Sequence, residues 1–233
     1  MIFHRRSGTR GHADHGWLSS YHTFSFADYY DPKFMGFSVL RVINEDWIAG
    51  GTGFPTHGHK DMEIITYMVE GVLEHKDTLG NAELLRAGEV QRMTAGRGIR
   101  HSEFNHRKDS SVHLVQIWLL PEAPNLEPSY EQRSFLQEMA KGELTLLVSP
   151  TGENNSLKIH QDVRLFAQIT ANALTQTQEL IAKRNYYLHL IKGELNVNTV
   201  AMVPGDGLSV QNETQLQLQA SSGCEFLLFD LPN

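Results

Sequence analysis

Tyr67-Met-Val-Glu-Gly71-Val-Leu-Glu74, followed by Ala87-Gly88-Glu89, has an echo in the second half of the chain: Leu188-His-Leu-Ile-Lys-Gly193-Glu-Leu195, followed by Pro204-Gly205-Asp206. Each copy is an apolar run, a glycine turn and a second short run, the pattern of a β-hairpin. Each half also closes on an apolar strand ended by proline, Ile117-Trp-Leu-Leu-Pro121 and Leu227-Leu-Phe-Asp-Leu-Pro232. Two related β-barrels in tandem explain this better than one continuous sheet. Around these anchors, Val-, Ile-, Leu- and aromatic-rich runs recur between Gly, Pro, Asn and Asp, and helical periodicity is scarce. The reading is all-β, with strands expected at 22–27, 37–44, 63–70, 72–76, 83–85, 90–93, 113–120, 144–148, 157–165, 186–191, 195–197, 208–210, 215–219 and 225–229. Short helices are expected only at 129–139 and 175–183. The turn residues of Pro121-Glu-Ala-Pro124 and Pro128 suggest the division. The expected domains are 1–125 and 126–233.

The chain has 233 residues, 40% apolar and 20% charged, enough to bury a core and unlike a disordered tail. Twenty basic against 27 acidic side chains give a net charge of −7, which argues against direct binding of nucleic acid. The longest apolar run, 64–69, is broken by Thr66 and falls far short of the roughly 20 residues that cross a bilayer. The N-terminus lacks the apolar stretch of a secretory signal. Cys224 is the only cysteine, so no intramolecular disulfide can form and a reducing cytoplasm is expected.

The chemistry concentrates in the first half. His57 and His59 stand two residues apart in Thr56-His-Gly-His-Lys-Asp-Met-Glu63. On a strand such residues share a face with Cα atoms about 7 Å apart, so both imidazoles can converge on one point. Gly96-Arg-Gly98-Ile-Arg-His101-Ser-Glu103 supplies the same spacing with one imidazole and one carboxylate. Its glycines permit turns that a Cβ would forbid and can bring the second pair beside the first. Three nitrogens and one oxygen, without thiolate, suit a borderline divalent metal such as Fe(II), Ni, Co or Zn better than Ca²⁺ or Mg²⁺. With 12 histidines present, one His-x-His pair alone is weak evidence; two pairs with a glycine-bearing turn are much less easily accidental.

His57-x-His59-x3-Glu63 with Gly51 ahead of it, then Gly88 and His101-x3-Asn105, resembles the two motifs of the cupin superfamily. Gly71 lies one residue later than the usual motif places it, and no proline precedes Gly98, departures that point to a subfamily. His22-Thr-Phe-Ser-Phe-Ala27, Tyr30-Asp-Pro32, 56–65 and Met93-Thr-Ala-Gly-Arg-Gly-Ile-Arg-His-Ser-Glu103 resemble the pirin family, especially bacterial pirin-like proteins. The similarity extends to Tyr130-Glu-Gln-Arg133 and Lys158-Ile-His-Gln-Asp162. It implies a bicupin of two jelly-roll barrels, the N-terminal one binding one divalent metal and the C-terminal one metal-free. Fe(II) is the expected ion, with Ni, Co, Cu, Mn or Zn as alternatives. The family's ligands fall on His57, His59, His101 and Glu103; Glu63, which supplies the carboxylate in many other cupins, is expected just outside the ligand set. With Gly193 aligned to Gly71, Glu179 and Ile181 stand where the first barrel has His57 and His59, and Gln215-Leu-Gln-Leu-Gln219 would fill its barrel with leucine. His160 and His189 are read as structural.

The resemblance further implies quercetin 2,3-dioxygenase activity, a flavonol being opened by O2 with loss of carbon monoxide and Glu103 taking the flavonol proton. Phe24, Phe26, Phe54 and Met62 could wall a planar aromatic substrate, although several of them are expected to be simply core, since inward positions of small barrels are mostly packing. The competing expectation is a non-enzymatic, redox-sensing regulator that binds partner proteins through a metal-dependent surface. A monomer is expected.

Overall fold

The computed structural model describes Met1–Asn233. Its strands are β1 (Ile2–Arg5), β2 (Gly11–Asp14), β3 (Leu18–His22), β4 (Leu40–Ile48), β5 (Gly53–His59), β6 (Glu63–Glu70), β7 (Val72–Asp77), β8 (Ala82–Arg86), β9 (Glu89–Thr94), β10 (Ile99–Asn105), β11 (Val112–Leu119) and β12 (Ser129–Ser134), then β13 (Thr145–Ser149), β14 (Leu157–Lys158), β15 (Arg164–Ile169), β16 (Leu174–Glu179), β17 (Asn185–Lys192), β18 (Leu195–Val197), β19 (Val200–Met202), β20 (Gly207–Gln211), β21 (Gln215–Ala220) and β22 (Glu225–Leu231). One helical turn, α1, covers Leu136–Met139. The all-β expectation holds, and no helix is long and apolar enough to cross a membrane.

Neither of the two compact units is one continuous segment. One comprises Gly11–Ser134 with Leu157–Gln161; the other comprises Met1–Arg10, Phe135–Ser156 and Asp162–Asn233. In the first, a large sheet of order β12-β9-β6-β11-β4-β3-β2 is accompanied by a smaller one of order β5-β10-β7-β8. In the second, β1-β20-β17-β22-β15-β13 run in that order, with a smaller sheet β16-β21-β18-β19. From β12 to β3 the first large sheet has the same order as β1 to β13 in the second, and the smaller sheets match as well, so the echo around Gly71 and Gly193 marks equivalent hairpins, β6–β7 and β17–β18. Both glycines adopt positive φ, +88° and +79°. A Cβ on Gly193 would lie 2.7 Å from the Cα of Cys224, so the turn also requires the close approach.

These units depart from a cut at 125/126 at both ends. Ser129–Ser134 pairs with β9 along six residues, while Ile2–Arg5 pairs with β20. Each edge strand therefore joins a sheet far from its place in the chain, which no local pattern announces.

Local departures have local causes. The expected helix at 175–183 is β16, whose Leu-Thr-Gln-Thr-Gln-Glu alternates half-buried and exposed as it pairs with β21. The expected helix at 129–139 is mostly β12; only its last four residues coil. The expected strand at 22–27 ends at His22, and Ala27 takes φ +48°, outside any strand. The run expected at 157–165 is split into β14 and β15. The strands bearing the histidine pairs, β5 with its two glycines and the polar β10, do not stand out as strands by hydropathy.

The second unit's interior is apolar. Leu216 and Leu218 on β21 occupy the smaller-sheet strand equivalent to β10, and both are fully buried in a cluster with Leu188, Leu208 and Phe226. Glu179 and Ile181 are exposed.

Candidate metal centre

β5 and β10 are antiparallel neighbours with His57 directly opposite His101 and Ile99 opposite His59. The turn into β10 depends on Gly96, at φ +46°, where a Cβ would stand 2.0 Å from the Leu126 carbonyl oxygen. Strand parity then aims three imidazoles at one point. Their ring centroids are 4.8 Å (57–59), 4.4 Å (57–101) and 4.9 Å (59–101) apart, and one ligand nitrogen from each lies within 4.8 Å of the others.

The protonation pattern suits lone-pair donation. His57 Nδ1 lies 2.9 Å from the Pro55 carbonyl oxygen, which can only accept, so the ring proton sits on Nδ1 and Nε2 keeps its lone pair. Burial lowers the His59 pKa to about 4, helped by His101 and His57 and opposed by Glu103. Burial likewise lowers His101 to about 3, with His57 and His75 adding and Asp77 opposing. Both rings are thus neutral at pH 7. His101 Nε2 is fully buried with no hydrogen-bond partner. A buried orphan nitrogen facing two other imidazoles fits a cation, the partner that would remove its desolvation cost.

Glu103 groups with His101 and His75 rather than with the three-imidazole set; those three ligand atoms also lie within 4.8 Å of one another. Gln91 Nε2 donates to its Oε1 at 3.2 Å and Gln116 Nε2 to its Oε2 at 3.3 Å, so each carboxylate oxygen accepts one amide and keeps a second lone pair. The two amides belong to a polar row that crosses the large sheet in register: Gln91 (β9), Thr66 (β6), Gln116 (β11), Asn44 (β4) and His22 (β3). Glu63 belongs to neither histidine group. It is fully buried on β6, accepting from Thr94 Oγ1 at 3.0 Å, with His160 Nδ1 3.4 Å away. His160, read as structural, is therefore a close neighbour of this carboxylate, with its Nδ1 3.2 Å from Thr94 Oγ1.

His75 is the residue that sequence reasoning missed. It is fully buried on β7, with Nε2 3.0 Å from Asp77 Oδ2 and Nδ1 3.5 Å from His101 Nδ1. Tyr130 of β12 stacks on it, centroids 4.5 Å apart. The i, i+2 pair His75-Lys-Asp77 was the available signal.

The imidazoles open into a cavity of about 640 Å³ walled by Trp17, Phe26, Tyr29, Phe54, Ile64 and Trp118. Of the four side chains expected as a wall, Phe26 and Phe54 line it. Met62 instead packs against the cluster of Ile64, Met93, Ala95 and Ile99, and Phe24 is buried away from the cavity. The aromatic wall comes largely from residues before 30, which carry no periodic signal.

Asp46 also lines this cavity. Burial pushes its carboxyl up to about 7; the Ser20 hydroxyl pulls it down, and Glu103 and Glu45 push it further up. Between pH 3.8 and 7 the folded chain holds a proton that the unfolded chain releases, so this stabilisation is lost as pH rises through 7. Asp46→Asn is therefore expected to stabilise the metal-free protein at pH 8 relative to pH 5, by up to ~3 kcal/mol, the part of the window that lies between pH 5 and 7. Urea unfolding of both proteins at the two pH values checks it; equal pH slopes would refute it.

A family model for Pirin matches residues 4–119, and one for the quercetinase C-terminal cupin domain matches 146–231. Quercetin 2,3-dioxygenase of Escherichia coli (strain K12) is 48% identical over 232 residues, covering 100% of this chain and 99% of that protein. The pirin-like protein of Caulobacter vibrioides is 39% identical, covering 99% of each. Among solved structures, the bacterial pirin YhhW from Escherichia coli in complex with nickel(II) superposes with a TM-score of 0.94 at 48% identity, covering 100% of this chain and 99% of that one. With its repeated strand order and its three convergent imidazoles, the chain belongs to the pirin family and is a bicupin of the bacterial pirin type.

Proposed function

We propose that the protein is a metal-dependent dioxygenase that opens a flavonol such as quercetin with O2 and releases carbon monoxide. One divalent ion, Fe(II) in the first instance, would be held by His57, His59, His101 and Glu103. The observation that carries this reading is the meeting of three imidazoles, one with a buried orphan nitrogen, at the wall of an aromatic cavity of about 640 Å³. That volume suits a small planar guest. The names of the 48%-identical relatives and the nickel(II) in one solved relative support it.

A divalent ion bound there would acidify a coordinating phenolic hydroxyl and leave positions for outside molecules. The chain's own residues do the rest. Trp118, whose ring meets His59 edge-on with centroids 4.9 Å apart, and Phe54, 6.2 Å from the His57 ring, would flank a flat guest and exclude water. Glu103 would take the substrate proton on a lone pair that its two amide partners leave open.

The test is metal analysis of the purified protein, then oxygen uptake and carbon monoxide detection with quercetin. Metal-dependent uptake with matching carbon monoxide is expected. No uptake above blank by iron- or nickel-loaded protein overturns the dioxygenase reading.

A further inference from the structure

The polar row does not stop at the amides that hold Glu103. Gln116 spends both ends of its amide, donating to Glu103 and accepting from Thr66 Oγ1 at 3.2 Å. One strand further, about 5 Å along the sheet, stands Asn44. Asp46 follows two residues later on β4, so both project from the same face. Both are nine-tenths buried or more, at 3% and 4% exposure, and both line the cavity.

Neither has its hydrogen bonding completed by the protein. Asn44 Oδ1 is fully buried with no partner. Asp46 Oδ1 accepts from the Ser20 hydroxyl, and His22 Nε2 lies 2.9 Å from that same Ser20 oxygen. The serine proton is committed to the carboxyl, so the His22 N–H donates to Ser20, and this chain fixes Oδ1. Oδ2 remains for whatever fills the cavity. Across the same space, Trp118 Nε1 is a buried donor without a partner. A buried orphan acceptor is costly and uncommon, and Asn44 Oδ1 beside a carboxyl oxygen that opens to the same aromatic cavity calls for a guest that brings donors.

We infer that Asn44 and Asp46 form a hydroxyl-recognition subsite, one that selects guests carrying phenolic hydroxyl groups in addition to the one directed at the metal. This rests on the reading that the cavity takes a planar phenol, and it adds which phenols: polyhydroxylated ones. The guest's O–H groups donate to Asn44 Oδ1 and Asp46 Oδ2, while the aromatic walls accept its rings without discrimination. A site built to pair hydroxyls discriminates against analogues lacking them far more sharply than an apolar slot does.

The experiment compares quercetin with 3-hydroxyflavone, which keeps the ring system and the 3-hydroxyl but lacks the others. Equilibrium binding to metal-loaded protein is read by quenching of tryptophan fluorescence, since Trp17 and Trp118 line the cavity. The wild type is expected to prefer quercetin, and Asn44→Leu to lose about tenfold of that preference through weaker quercetin binding, with 3-hydroxyflavone unchanged or tighter. Asp46→Asn, which keeps an acceptor oxygen, should retain most of the preference, whereas Asp46→Leu should lose it. Metal content and melting temperature show that each variant is folded and loaded, and Asn44→Leu carries the test where Asp46→Leu does not fold. A wild type with no preference, or a preference unchanged in Asn44→Leu and in a folded Asp46→Leu, overturns the subsite. Oxygen uptake is scored separately, so selective binding without turnover would sink the dioxygenase reading and leave the subsite standing.

Discussion

His59→Ala is expected to yield protein that no longer retains a stoichiometric divalent ion, with metal affinity down at least about 100-fold and metal-dependent oxygen uptake reduced to the blank. The magnitude follows from ligand loss, because even partners outside the ligand set cost 10- to 100-fold when removed. His59 is the informative imidazole to delete, since no hydrogen bond to the protein depends on it, whereas His57 is tied to Pro55 and His101 to His75. The fold should tolerate the change. With a pKa near 4 in the folded chain against an ordinary 6.5, His59 lowers stability as pH falls through that window, because the unfolded chain takes up a proton that the folded one refuses. Alanine removes that penalty, so the metal-free variant should be no less stable than metal-free wild type at pH 5. His160→Ala is the control: it removes a neighbour of Glu63 and should leave metal content intact. Inductively coupled plasma analysis of both variants decides. Full metal retention by His59→Ala would move the centre elsewhere, and metal loss in His160→Ala would draw Glu63 into the ligand set.

What the sequence made legible follows a physical division. Residues bound by short-range geometry could be read: His57 with His59 and His101 with Glu103 are i, i+2 pairs, and Gly96 forms a turn whose φ an L side chain resists. The hairpin at Gly71 and its copy at Gly193 were legible for the same reason, because a glycine turn between apolar runs is a local signal. Long-range register was not. That β1 belongs to the second unit and β12 to the first depends on edge pairings across more than 200 and about 40 residues, and nothing in Ile-Phe-His-Arg or Ser-Tyr-Glu-Gln names the partner. The consequence reaches the site, since a cut at 125/126 would remove Tyr130 from the unit whose His75 it stacks on. The polar row from Gln91 to His22 was hidden likewise: its members come from five strands, and only the sheet puts them in line.

His75 gives the second large effect expected outside the ligand set. Burial raises the Asp77 carboxyl, but the Asn81 side chain, His75 and the backbone N–H groups of Asn81 and Leu79 outweigh it and hold the pKa below the ordinary value. The carboxylate carries no proton, so it can only accept, and the hydrogen on His75 facing it must be on Nε2. A neutral ring with its proton there presents a lone pair at Nδ1, toward His101 Nδ1. His101 then carries its own proton on Nδ1, which leaves Nε2, the buried orphan atom, as the nitrogen free to donate to a metal. Asp77 thereby sets the tautomer of His101 through one intervening ring. His75→Phe keeps the stacking on Tyr130 but breaks this chain, and is expected to weaken metal binding by about 10- to 100-fold. Asp77→Asn should do the same to a smaller degree, because an amide oxygen can still accept from His75 Nε2 only if the Asn side chain takes one of its two orientations. Competition with a chromophoric chelator measures the affinities, and the ligand-field bands of the Co(II)-substituted protein report whether the donor set is distorted. Affinity and spectra unchanged in His75→Phe would show that His101 is oriented by backbone pairing alone; a spectrum altered in His75→Phe and largely restored in His75→Gln, which can again accept from His101, would identify the hydrogen-bond chain as the cause.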